Sequence, residues 1–132
     1  MTEPVWIEKQ ALLLLHAKSL AWFGGAEGLR EEGLLDSALA RPVNAFHYTG
    51  ERDTAALAAS YAFGLIKNHA FVDGNKRAAF LAIGLFLAIN DWELRVAPAD
   101  AIHAVLALAG SSIGEAEFAA WLRLHIQRAE PQ

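Results

Sequence analysis

Polar and apolar positions along this chain meet most abruptly at one junction. His69-Ala70-Phe71-Val72-Asp73-Gly74-Asn75-Lys76-Arg77 runs directly into Ala78 to Ile89, a stretch without a polar side chain. A helix that is apolar all round belongs in the interior of a soluble protein. The pattern therefore predicts a central buried helix from about Gly74 or Asn75 to Ile89. Ahead of it, Trp6 to Phe23 reads as a helix stopped by Gly24-Gly25, with Ile7, Ala11, Leu14, Leu15 and Trp22 on one broad face. His16 lies within it and reads as an ordinary, partly buried histidine with a backbone or solvent partner. Leu34 to Ala40 reads as a short helix ended by Pro42. Val43 to Arg52 shows little helical rhythm and reads as an irregular segment, either a ligand-contacting flap or a plain connector.

Asp53 or Thr54 suits the N-cap of a helix from Ala55 to about Asn68. Leu57, Tyr61, Gly64, Leu65 and Asn68 fall at helical spacing there, and small residues between them allow close helix approach. Beyond the central helix, Trp92 to Val96 alternates as a short extended piece, too isolated to imply a sheet. Pro98 opens a further helix that ends at Gly110. Ser112-Ile113-Gly114-Glu115 has capping-box spacing ahead of a last helix, Glu115 to about Gln127. Residues 129–132 form a polar tail. The expected fold class is all-α, with about five to six helices around a central buried helix and the whole of 1–132 as a single domain.

Composition narrows the possibilities. The chain has 132 residues, enough for one self-sufficient core. Hydrophobic residues make up 55%, and the mean hydropathy is +0.24. That is rich for a soluble domain, and points to an Ala- and Leu-rich helical core or a surface made for a partner. The longest apolar run is too short to span a bilayer, and Met1-Thr2-Glu3-Pro4 does not begin like a signal peptide. The absence of cysteine excludes disulfides and thiolate metal sites. A formal net charge of -4 argues against nucleic acid as a direct partner. Together these features fit a cytoplasmic protein with no membrane contact.

The candidate chemistry gathers in the nine-residue junction. The first N–H groups of a helix starting near Gly74 or Asn75 lack intrahelical acceptors and carry the positive end of the macrodipole, which makes an anion site. Gly74 has no side chain to obstruct a phosphate. Lys76 and Arg77 occupy the first turn, where acidic residues would be favoured, at a cost of a few tenths to about 1 kcal/mol each. A bound polyphosphate reverses that sign. Asp73 supplies one carboxylate beside the anion site, which matches the way Mg²⁺ is shared between a protein carboxylate and substrate phosphates. His69 carries an imidazole able to accept a proton near neutral pH. Each residue taken singly has an ordinary structural explanation, such as an N-cap, a turn pair or a solvated charge. Their joint occurrence beside the most apolar segment is what marks a site.

This stretch resembles the Fic/Doc family motif H-P-F-x-D/E-G-N-G-R, and most closely its Doc (death-on-curing) branch. The chain has Ala70 where Fic has Pro, and Lys76 where Fic has Gly; Lys is the Doc residue. Gly28 to Pro42 similarly resembles the Doc-like stretch G-I/V-R-D-x-G-L-L-E-S-A-L-A-R-P, with Glu31 in place of Asp. The resemblance covers nearly the whole chain. It implies a toxin of a toxin-antitoxin pair, a kinase that uses ATP and Mg²⁺ to phosphorylate a protein hydroxyl, and for Doc a threonine of elongation factor Tu, which stops translation. It makes His69 the catalytic base, Asp73 the metal ligand, and Gly74, Asn75, Lys76 and Arg77 the nucleotide-binding residues. Lys76 fills space that Gly leaves open, so the nucleotide presents its γ-phosphate. Val43 to Arg52 becomes the flap that aligns the target peptide. A cognate small antitoxin, whose tail folds on binding, is the implied partner. The alternatives are a Fic-type protein adenylyltransferase and a non-catalytic nucleotide- or partner-binding module. Retention of both His69 and Asp73 speaks against the latter. The five histidines form no H-x-x-x-H pair, and the chain lacks a G-x-x-x-x-G-K-S/T loop and the protein-kinase motif set.

Overall fold

The computed structural model describes residues 2–130. Six helices form, α1 (Lys9–Phe23), α2 (Glu32–Thr49), α3 (Thr54–Asn68), α4 (Asn75–Ile89), α5 (Pro98–Ala109) and α6 (Glu115–His125). Two short strands, β1 (Trp92–Leu94) and β2 (Ile126–Arg128), accompany them. Among the described residues the fold is all-α apart from this short antiparallel pair and one isolated bridge, Leu29 to Phe71, as the helical patterning predicts. Among the described residues no helix is long and apolar enough to cross a membrane.

The most enclosed helix is α3, with Ala55, Leu57, Ala58, Ala59, Tyr61, Ala62 and Leu65 all buried. It packs against α2, α4, α5 and α6. Its small residues explain this central place. A Cβ on Gly64 would stand 3.2 Å from the Ala38 Cα, so α2 and α3 touch nearly backbone to backbone. The following helix, α4, is apolar as predicted but not buried all round: Lys76, Phe80, Gly84 and Ala88 line an exposed stripe. Its inner face is Asn75, Ala78, Ala79, Ala82, Ile83, Phe86 and Leu87.

Further expectations need correction. The Val43 to Arg52 segment is not a loop or flap: α2 continues through Pro42 to Thr49. An internal Pro removes one helical hydrogen bond and costs about 3 kcal/mol. Here Leu35, Ala38, Pro42 and Phe46 form one buried stripe, and its packing outweighs that loss. Only a short turn around Gly50, in the left-handed conformation, separates α2 from α3. The buried face of α1 also differs. It is Leu12, His16, Ser19 and Leu20, while Leu14 and Trp22 are exposed. With apolar residues on every side of α1, periodicity alone cannot select the inward face. The N-cap of α6 is Gly114 rather than Ser112, with the Glu117 carboxylate accepting the Gly114 N–H at 3.3 Å. Ser111 and Ser112 are used instead in closing α5, through bonds to the Leu108 and Ala107 carbonyls.

The extended piece after α4 finds a partner that lies far away in sequence. Trp92 pairs with Arg128, Glu93 with Gln127 and Leu94 with Ile126. The last helix therefore ends at His125 rather than near Gln127. Of the tail 129–132, Ala129 donates its N–H to the Asp91 carbonyl at 2.9 Å, and 131–132 lie outside the described residues.

Candidate active site

The segment between α3 and α4 is held from two sides. On one side, Gly28 to Arg30 pairs with Ala70 to Val72 in antiparallel fashion. The Arg30 N–H donates to the Ala70 carbonyl at 2.7 Å, the Val72 N–H donates to the Gly28 carbonyl at 3.0 Å, and Leu29 faces Phe71. On the other side lies α1. The His16 ring stacks on Phe71 with centroids 3.8 Å apart, and His16 Nε2 stands 2.9 Å from the Asp73 carbonyl oxygen. A carbonyl can only accept, so Nε2 carries the proton. Burial pushes the His16 pKa below its ordinary value, against an opposing pull from the Asp73 carbonyl. The ring is therefore neutral at pH 7.

Within the segment, Asn75 closes the turn. Its Oδ1 accepts the Phe71 N–H at 2.9 Å and its Nδ2 donates to the Phe71 carbonyl at 3.0 Å. The Asn75 side chain is buried. It satisfies two main-chain groups that the turn would otherwise leave unpaired. The Asn75 backbone N–H still belongs to the free first turn of α4. Gly74 is the N-cap, at φ 76° and ψ 28°. A side chain there would be strained, and its Cβ would meet His16 Nε2 at 3.0 Å.

Asp73 is exposed and ionised. Its Oδ2 accepts the Ala26 N–H at 3.2 Å and its Oδ1 accepts the Gly74 N–H at 2.7 Å. These two bonds, with a smaller contribution from the Arg77 guanidinium, hold its carboxyl below the usual range. Gly25 makes room for this contact, since a Cβ there would approach Asp73 Oδ2 to 3.0 Å. A carboxylate has about four acceptor positions, and two are taken. Among the described residues no three His, Asp or Glu side chains gather into a metal site. The donor set is thus one carboxylate beside an anion site, which fits Mg²⁺ completed by phosphates and water and would not suit an all-protein cage.

The two cations of the first turn differ. Arg77 donates Nη1 to the Gly24 carbonyl at 3.1 Å and lies 5.8 Å from the centre of the Phe23 ring. One of its five N–H donors is thereby committed, and the rest stay available to an anion. Lys76 is exposed and makes no ion pair among the described residues. His69, the C-cap of α3, is exposed and sits in the left-handed region at φ 52° and ψ 51°. His69, Asp73, Gly74, Lys76 and Arg77 thus follow one another along the segment from the end of α3 to the first turn of α4, and the buried Asn75 side chain ties that segment together.

A family model described as the Fic/DOC family matches residues 6–87. The chain belongs to the Fic/DOC family. Every candidate site residue from His69 to Arg77 falls inside the matched range. Residues outside it include β1, α5, α6 and β2. A relative described as "Toxin Doc", from Mycolicibacterium smegmatis (strain ATCC 700084 / mc(2)155), is 42% identical over 87 residues. The match spans 61% of this chain and 62% of that relative. The chain thus spans less than two thirds of the length of this Doc relative.

Three contributors to the Fic/DOC site were not foreseen from sequence as part of it. They are His16, the Gly25-Ala26 turn and Arg30. His16 carried one usable signal, a polar ring following the apolar run Ala11 to Leu15. The Ala26 contact uses a backbone N–H, and no side-chain pattern encodes it.

Proposed function

We propose that this chain is the toxin of a toxin-antitoxin pair and acts as a protein kinase. In this reading ATP gives its γ-phosphoryl group to a hydroxyl of a protein target, a threonine of elongation factor Tu by resemblance, and translation stops. The acceptor oxygen forms a bond to the γ-phosphorus, the bond from that phosphorus to the β–γ bridging oxygen breaks, and ADP leaves. The acceptor proton passes to His69, whose imidazole is exposed at the end of α3. The α4 N–H groups, Lys76 and Arg77 orient the phosphates and balance their charge. Asp73 would hold Mg²⁺, which when bound neutralises phosphate charge. Catalysis of this kind is mainly positioning and electrostatics.

The observation that carries this reading is the pair of cations in the first turn of α4, beside an ionised Asp73 and one segment away from an exposed histidine. An unliganded helix start disfavours those cations; a bound triphosphate makes them useful. The partner in this reading is a small antitoxin with a tail that folds on the toxin.

The test is to incubate the protein with Mg²⁺, ATP and elongation factor Tu and to weigh the acceptor by mass spectrometry. A phosphate adduct that disappears with His69→Ala is expected. An AMP adduct would instead assign Fic-type transfer. Absence of any adduct, or an adduct indifferent to His69→Ala, would overturn the catalytic role.

A further inference from the structure

His69 is one of only three non-glycine residues with positive φ among the described residues. L-residues avoid that region because Cβ crowds the following carbonyl. A non-glycine C-cap in this conformation needs surroundings that hold it there. The contacts that do so come largely from one residue. Arg30 Nε donates to the His69 carbonyl at 2.9 Å, its Nη2 donates to the Asn68 carbonyl at 3.1 Å, and its backbone N–H donates to the Ala70 carbonyl at 2.7 Å. Three consecutive carbonyls across the helix end are thus gathered by a single arginine. Carbonyls at a helix C-terminus lack intrahelical donors, and the dipole there favours a cation. Arg30 makes no ion pair among the described residues, so its fork serves these carbonyls alone.

We propose that Arg30 is the positioning residue for His69: it fixes the left-handed backbone at position 69 and thereby the place from which the imidazole works. The proposal rests on the reading of His69 as the base. In this reading Arg30 acts through the backbone of residues 68–70 rather than on the acceptor or the nucleotide. The planar fork reaches two carbonyls at once, which a lysine ammonium on a flexible stem does not reproduce in the same geometry.

The experiment compares Arg30→Ala, Arg30→Gln and Arg30→Lys with wild type. Three readouts are taken: kcat and KM for ATP, thermal unfolding, and the backbone coupling and ring resonances of His69 in isotope-labelled protein. A small misplacement of a reacting group can lower a rate by up to about a hundredfold. Arg30→Ala is expected to lower kcat by about tenfold to a hundredfold with KM for ATP nearly unchanged. The His69 coupling should shift away from its left-handed value, and Arg30→Lys should recover part of both effects. If Arg30→Ala does not fold, Arg30→Gln, which keeps an N–H donor, carries the same comparison. Unchanged His69 resonances in a folded variant would overturn the proposal, as would unchanged kcat where His69→Ala is inactive. If His69→Ala keeps full activity, the base assignment fails, and the resonances alone then decide whether Arg30 holds position 69.

Discussion

His16 Nε2 donates to the Asp73 carbonyl at 2.9 Å while its ring lies flat on Phe71. One buried side chain of α1 therefore braces both the aromatic anchor and the acidic residue of the site. His16→Phe keeps a ring against Phe71 but removes the donor. Urea unfolding should register a loss of about 1–3 kcal/mol, the usual penalty for stranding a desolvated polar group.

The same histidine sets an acid-side dependence of stability. Burial lowers its folded-state pKa beneath the ordinary 6.5. Its contribution is fully present above that value. It is lost as pH falls from there through the lower folded-state pKa, because the unfolded chain takes up the proton first. Denaturation midpoints measured between pH 7 and 5 should fall in wild type, and this component should vanish in His16→Phe.

Tyr61 gives the opposite dependence at high pH. Its hydroxyl accepts the Ile7 N–H at 3.0 Å, and burial pushes its pKa up to about 12 from 10.0. The stability it supplies is intact below pH 10 and lost as pH rises toward 12, since the unfolded phenol ionises first. Tyr61→Phe should remove this alkaline loss while costing about 1–3 kcal/mol at neutral pH through the stranded Ile7 N–H. Unfolding curves at pH 7, 10 and 11.5 check both signs.

Gly74→Ala introduces a side chain at φ 76° whose Cβ meets His16 Nε2 at 3.0 Å. The left-handed penalty for an L-residue alone is roughly 1–2 kcal/mol. Thermal melting should drop accordingly, and binding of Mg²⁺ and ATP, measured by calorimetry, should weaken in the folded variant.

Asn75 predicts a different pattern from a simple ligand. Asn75→Asp keeps an acceptor for the Phe71 N–H but cannot donate to the Phe71 carbonyl when ionised. Both Asn75→Asp and Asn75→Ala should lose stability without ATP present, each stranded buried group costing on the order of 1–3 kcal/mol. A melting temperature unchanged from wild type would remove the propping role.

Much of the site was legible because its residues are adjacent in sequence. His69 to Arg77 is one uninterrupted stretch, and the helix starting at Asn75 follows from a glycine turn ahead of an apolar run. The α3 and α4 limits, the Asp53 cap with its bond to the Ala56 N–H at 3.2 Å, and the stop at Gly24 were all local signals. The path of α2 through Pro42 was not. A proline normally ends a helix, and only the shared burial of Leu35, Ala38, Pro42 and Phe46 against α3 overrides it.

By itself the sequence placed the candidate residues His69 to Arg77 between one helix end and the start of an apolar helix, because helix caps, turns and the nine-residue motif are written in consecutive residues. The tertiary structure decided what holds them. His16 lies 57 positions from Asp73 and Arg30 lies 39 from His69, and Trp92 meets Arg128 only once the segment after α6 folds back beside the one after α4. Contacts between residues so far apart depend on how helices pack, and a helix such as α1, with apolar residues spread around it, gives only a weak periodic signal for which face turns inward.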